Sequence, residues 1–432
     1  MKFLSLFCCC VLLLSCKKES AQAPIPEITI LQAPSSLSIQ VPDTVRLTLD
    51  LRGEEELVSL KVNLLNQALV PVTESQVYGI SGKSQRLEIV YPINDPQLDD
   101  GAYFLALSLN TARESGNKFV PVQLTGIPRT ATGAVFLASV GNQTRIYQTD
   151  SSGLQPQLRA SLPFALKDAV YDPSSACVWL TGMGNSSLYR YRLADFQTSP
   201  VFSSLPAPGF ETYRSMHLGP QWLYLGRGQG NVVAIDAAAT QKWLYNLPEG
   251  YVPGMIQHLQ QYFLVEMQPI DPTAVRRMQL IEPDRQGLIR ELAMNGPLLG
   301  AARLANNEVL LLVEEAGQGK LYRYTPSNSR FESETGPDTR NFRSILTLPS
   351  GDLIIRSNSS LWRYQPGSNV RTGQFSQLAN ENFESVSHDP LLNRLLAIQQ
   401  NQASYISLPS GSNQSIFLPE AMKIGFLTRS RK

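Results

Sequence analysis

The sequence predicts an all-β protein, a β-sandwich followed by a seven-bladed β-propeller that its own C-terminal strand closes. One repeated phrase carries most of this. Leu188-Tyr189-Arg190-Tyr191, Leu321-Tyr322-Arg323-Tyr324 and Leu361-Trp362-Arg363-Tyr364 each follow an apolar run and a short polar turn. With Ile146, Val232, Met278 and Tyr405 as weaker copies, the phrase recurs at steps of 40 to 46 residues, the length of one four-stranded blade. The second observation is period-two alternation upstream, as in Val45-Arg46-Leu47-Thr48-Leu49-Asp50-Leu51. The third is the location of the seventh copy's parts: residues 135–160 supply outer strands at one end of the repeat region, and residues 423–427 supply an inner strand at the other.

The chain opens with Lys2 and an apolar run, residues 3–14, that ends in Leu13-Leu14-Ser15-Cys16. The run is short for a membrane-spanning helix and suits a secretory signal. The motif resembles a bacterial lipobox. That resemblance implies a signal peptide over 1–15, acylation of Cys16, and a lipidated tether over 16–27 whose Pro24 and Pro26 favour an extended spacer. Lys17-Lys18-Glu19 lacks the aspartate that would retain a lipoprotein in the inner membrane, so the outer membrane is expected, with its periplasmic and cell-surface faces both open. Cys8, Cys9 and Cys10 leave with the signal, and Cys177 is then the one remaining side-chain thiol. It lies in an apolar strand and reads as an inert buried residue.

Residues 28–128 carry short alternating segments spaced as in an antiparallel sandwich. Their number and the run Asp99-Asp100-Gly101-Ala102-Tyr103 resemble an immunoglobulin-like domain, in which a tyrosine after a turn closes a corner between strands. Asp95, Asp99 and Asp100 follow no calcium-loop spacing and read as turn carboxylates.

The propeller spans 131–432. Its inner strands are expected at 167–171, 214–218, 255–259, 301–304, 343–348, 384–388 and 423–427. The blades resemble bacterial YVTN or NHL-like propellers at the level of pattern. They lack a repeated Trp-Asp, a double-glycine kelch mark and an aspartate box, and a quinone-cofactor dehydrogenase is disfavoured because its repeated tryptophan docking marks are missing.

Few residues suggest chemistry. The chain holds three histidines, His217, His258 and His388, on three different inner strands, with no metal-ligand spacing between them. No nucleophile elbow, phosphate loop or paired-acid motif occurs; Gly226-Arg227-Gly228-Gln229-Gly230 lies between strands and reads as a turn. No catalytic residue, metal or cofactor is expected. A net charge of +1 argues against a nucleic-acid partner.

One constellation stands out. The inner strands begin at Lys167, Arg214, Gly254, Gly300, Arg343, Glu384 and Lys423, each preceded by an apolar residue. Four cations and one acid would place a positive field at the channel mouth, suited to an anionic ligand or an acidic segment of an envelope protein. The alternative is ordinary solvated strand starts. The function expected is a lipid-anchored binding or scaffold protein of the cell envelope, the runner-up a carbohydrate-active propeller enzyme or sugar-binding accessory. The runner-up needs an acid–base pair, for which Glu384 beside Lys167 or a histidine is the candidate.

Overall fold

The computed structural model describes residues 25–431 except 33–36, 68, 70, 74, 96–97, 151–154, 185–186, 203–211, 220–221, 260–261, 283–286, 305–307, 335–340, 367–373, 390–391 and 409–410. The expected signal peptide, Cys16 and the expected tether as far as residue 24 lie outside the described residues. The chain divides between Gly126 and Ile127 into two compact units. Among the described residues every regular element is a strand.

The first unit contains β1 (Glu27–Gln32), β2 (Leu37–Gln40), β3 (Asp43–Arg52), β4 (Leu57–Leu65), β5 (Gln76–Gly79), β6 (Ser84–Ile93), β7 (Gly101–Thr111) and β8 (Ser115–Thr125). They form a three-stranded sheet, β1-β3-β6, and a five-stranded sheet, β2-β8-β7-β4-β5. Alternation does the folding. Val45, Leu47, Leu49 and Leu51 of β3 face inward and meet Leu60, Val62 and Leu64 of β4 and Leu105, Leu107 and Leu109 of β7 in one core, so the two sheets make a sandwich. The hydroxyl of Tyr103 donates to the Asp99 carbonyl (3.1 Å), four residues upstream. Asp100 accepts from the Gly126 N–H (2.6 Å), which gives that turn carboxylate a structural task.

The second unit begins with β9 (Arg129–Val140), β10 (Gln143–Gln148) and β11 (Gln157–Leu162). Six runs of four strands follow. They are β12 (Leu166–Asp172), β13 (Cys177–Gly182), β14 (Leu188–Arg192) and β15 (Thr198–Phe202); then β16 (Tyr213–Leu218), β17 (Leu223–Arg227), β18 (Asn231–Ile235) and β19 (Gln241–Asn246). Next come β20 (Tyr251–Leu259), β21 (Tyr262–Pro269), β22 (Arg277–Glu282) and β23 (Gly287–Ala293), and β24 (Leu298–Arg303), β25 (Val309–Glu315), β26 (Gln318–Thr325) and β27 (Arg330–Ser333). Last are β28 (Phe342–Thr347), β29 (Leu353–Ser357), β30 (Leu361–Gln365) and β31 (Gln374–Ala379), β32 (Ser385–Asp389), β33 (Arg394–Gln399), β34 (Gln402–Ser407) and β35 (Asn413–Phe417), and finally β36 (Met422–Arg431).

Each run is a four-stranded antiparallel meander, and β36 joins β9 to complete a seventh four-stranded sheet in the order β11-β10-β9-β36. This is a β-propeller. Second strands such as β13 and β25 are buried along most of their length because both faces meet neighbouring sheets. First strands adjoin one another from sheet to sheet, β12 with β16, β16 with β20, β20 with β24, β24 with β28 and β32 with β36, which makes them the inner strands. Separate apolar clusters fill the gaps between sheets; one joins β9 and β36 to β33 and β34 through Phe136, Met422, Leu396 and Ile398.

Candidate functional site

The inner strands enter their sheets with a shared irregularity. Leu166 faces Gly182 and Asp168 faces Thr181, so Lys167 is extruded as a β-bulge. Arg214 is extruded in the same way between Tyr213 and Ser215, Arg343 between Phe342 and Ser344, and Lys423 between Met422 and Ile424. In β24 the extra residue is Leu299, one position before the Gly300 selected by the sequence register. In β20 the bulge is two residues wide, Gly254 and Met255. Glu384 precedes β32, its N–H donating to the Ile398 carbonyl (2.6 Å).

The residue before each bulge anchors it. Leu166, Tyr213, Pro253, Leu298, Phe342 and Met422 are all buried, and with that side chain fixed the bulge re-aims the next one; Phe383 is buried before Glu384 as well, although β32 has no bulge there. Glycine at 254 has a steric cause: a Cβ there would stand 2.3 Å from the Glu266 carboxylate.

The five predicted residues do not behave alike. Glu384 and Lys423 are exposed, whereas Lys167, Arg214 and Arg343 are half-buried. Arg214 donates from Nε to the Pro253 carbonyl (3.1 Å) and from Nη2 to Gln268 Oε1 (2.5 Å), both on the next sheet and both uncharged. Arg343 reaches back to Glu314 of the preceding sheet (3.3 Å) and to Asn358 (2.7 Å). Beside it Arg356 donates to Ser344 Oγ (3.1 Å) and to the Phe383 carbonyl (2.5 Å). Burial pulls the Arg356 guanidinium below its usual range, and the Arg343 charge pulls it further. Glu384 and Lys167 belong to different sheets, with the β36 sheet between them.

These contacts show what inner strands require. The free edge of an inner strand has peptide groups with no fifth strand to pair with, and side chains from the adjacent sheet satisfy them. Asp168 accepts from the Met216 N–H (3.2 Å). Gln257 donates to the Ala301 carbonyl (2.6 Å) and accepts from the Ala301 N–H (3.1 Å). Tyr171 exchanges hydrogen bonds with the Arg429 carbonyl and N–H (3.2 Å each). Glu266, buried inside β21, accepts from Met255 N (2.8 Å), Leu298 N (3.1 Å) and Arg276 (2.5 Å). Sequence reasoning passed over Asp168, Gln257 and Glu266. The available signal was Glu266 itself, one acid inside the run Phe263-Leu264-Val265-Glu266-Met267.

His217 and His258 interact electrostatically; burial first, then the neighbouring His258, push His217 down to about 4. Burial also lowers His388. Among the described residues no group of three or more His, Cys, Asp or Glu is placed to hold a metal ion. Burial raises the Cys177 thiol to about 12, so it is protonated and a poor nucleophile at neutral pH.

Asp168 yields a pH prediction. Burial raises its carboxyl to about 6 against hydrogen bonds from Ala169 and Met216 and the charge of Lys167. A carboxyl whose folded value lies above its unfolded one stabilises the fold at low pH, and that contribution is lost as pH rises from about 4 through 6. Asp168→Asn is therefore expected to raise stability at pH 7.5 by about 1–2 kcal/mol, discounted for partial exposure, and to match the wild type near pH 4. His217 has the opposite slope, because its depressed value makes stability fall as pH drops from 6.5 toward 4. Melting temperatures of Asp168→Asn and His217→Gln across pH 4–8 separate the two; a parallel offset at every pH overturns the assignment.

No family model matches the chain, and neither does any curated protein. Solved structures do. One is a functionally unknown protein from Desulfotomaculum acetoxidans, with a TM-score of 0.50 at 10% identity over 68% of this chain and 98% of that one. A second, from Lactobacillus plantarum, reaches 0.48 at 13% identity over 70% and 98%. A third, a quinonprotein alcohol dehydrogenase-like protein from Bacteroides thetaiotaomicron, reaches 0.42 at 8% identity over 94% and 100%. At such identities likeness speaks to fold alone.

Proposed function

We propose that the chain is a lipid-anchored binding protein of the bacterial outer membrane, in which an immunoglobulin-like sandwich carries a seven-bladed propeller and the bulged rim of the propeller takes an anionic ligand or an acidic segment of an envelope protein. The observation that carries this reading is the recurrence of Lys167, Arg214, Arg343 and Lys423 at one bulge position of four inner strands. A charge at a bulge contributes little to folding, and four placed alike on one rim make a field that a ligand can use. The Tyr103–Asp99 hydrogen bond supports the immunoglobulin-like reading, since it has the form of a corner tyrosine. The seven four-stranded sheets support seven blades. The anchor rests on Leu13-Leu14-Ser15-Cys16.

Cys16→Ser is expected to lose label from a fatty-acid probe and to leave the membrane fraction. A wild-type protein that takes no label refutes the anchor. For the rim, cross-linked capture from envelopes is expected to lose its partner in the double variant Arg214→Glu/Arg343→Glu; equal capture by that variant refutes the rim as binding face.

A further inference from the structure

The bulged rim is electrostatically uneven. On one side Arg343 is held by Glu314, and the Glu384 carboxylate acts on the neighbouring Arg356. On the other side Lys423, Lys167 and Arg214 occupy the bulge positions of three successive sheets, those of β36, β12 and β16. Tyr171 bonded to Arg429 links the first two, and Asp168 bonded to Met216 links the last two. Arg214 is oriented by a carbonyl and an amide oxygen, so its position is fixed, and among the described residues no ion pair cancels its charge. Arg227, which pairs with Tyr213 across the ladder, is turned away from this row, its guanidinium over the Phe202 ring (6.0 Å). Among the described residues Asp168, whose carboxyl feels the charge of Lys167, is an acid within the arc, and Glu420 near its end is held by Arg145 (3.1 Å).

An apolar contact lies beside these charges. Met183 follows β13, its N–H bonded to the Ala165 carbonyl two residues before Lys167, and it is 56% exposed. Methionine is an adaptable surface for an incoming side chain.

We infer that the arc Lys423–Lys167–Arg214 is a docking site for an extended acidic peptide segment, with one apolar side chain of the peptide resting on Met183. The inference rests on the rim reading above and narrows it to three sheets. A peptide fits better than a glycan or a lipid surface because it brings carboxylates and an apolar side chain on one strand, with successive side chains about 3.3 Å apart along it. Uronic acids bring carboxylates without the apolar group. A bilayer would demand a broader apolar surface than Met183.

The test uses the intact lipid-free chain, Cys16→Ser, and three probes: a fluorescent peptide of Asp, Glu and Leu, an oligogalacturonate, and phosphatidylglycerol vesicles. The peptide is expected to bind saturably, more weakly as salt rises, and to weaken about tenfold or more in Lys423→Glu/Arg214→Gln. Arg343→Gln, whose charge Glu314 already meets, should weaken binding less than either arc substitution does, and Met183→Ser should weaken it without altering its salt dependence. Lys423→Glu alone, at an exposed position, keeps the test valid if the Arg214 variant unfolds. The inference is overturned if the peptide does not bind, if Arg343→Gln weakens it as much as the arc variants do, or if oligogalacturonate or vesicles show the arc dependence in its place. In the last two cases the rim remains an anion-binding face; only the absence of binding by all three probes counts against both.

Discussion

Removal of residues 423–432 is expected to abolish cooperative unfolding of the propeller. β36 pairs with β9 from Met422–Ala138 to Arg431–Arg129 and is the inner strand of a sheet whose other three strands lie at the start of the unit. It buries Leu427 and Thr428, and packs Ile424 and Phe426 against the cluster that contains Val135 and Val178. Full burial of an apolar side chain of this size contributes about 1.5–3 kcal/mol; with Leu427 buried and Ile424 and Phe426 partly so, the three amount to roughly 3–6 kcal/mol. A whole domain commonly has only about 5–15 kcal/mol. The truncation also opens the edge of β9 and uncovers the face of β32. Calorimetry should show loss of the main transition or a collapse of its melting temperature. An unchanged transition would mean that the ring is held elsewhere.

The closing strand was legible because repeat length and alternation are properties of the chain itself. Residues 423–427 match the apolar spacing of the other inner strands, and only residues 135–160 lack an inner partner nearby. Bulges were less legible. A bulge adds one residue without changing composition, so the register at β24 slips from Leu299 to Gly300 when read from sequence. The charge pattern at the rim could be read, but its partners could not. Arg214 and Arg343 look equivalent in sequence and differ in structure because Gln268 faces one and Glu314 the other, each from a neighbouring sheet. Asp168 and Gln257 were missed for the same reason: the backbone groups they satisfy lie more than forty residues away and become neighbours only when the ring forms.

The largest single-residue effect is expected at Arg323, in the Leu321-Tyr322-Arg323-Tyr324 copy of the repeat. Its guanidinium donates to Glu334 (3.1 Å), Glu308 (2.9 Å) and the hydroxyl of Tyr364 on the next sheet (3.1 Å), and that hydroxyl donates in turn to Glu334 (2.9 Å). The Glu334 side chain is 2% exposed. Burial of this kind is tolerable only while charge and hydrogen bonds are matched, because each ion has lost its water. Arg323→Met keeps much of the volume and strips the carboxylate of its charge partner, which is expected to cost about 3–5 kcal/mol. The equivalent arginines Arg190 and Arg363 have other partners, the Ala237 carbonyl for one and Asp352 for the other, so the network belongs to this copy and not to the repeat. Adding Glu334→Leu removes the stranded carboxylate, and the double variant should recover most of the loss. Denaturant titration of the two single variants and the double variant measures this. If Arg323→Met alone costs under about 1 kcal/mol, the pair behaves like a solvated surface pair and the buried network does not hold these two sheets together.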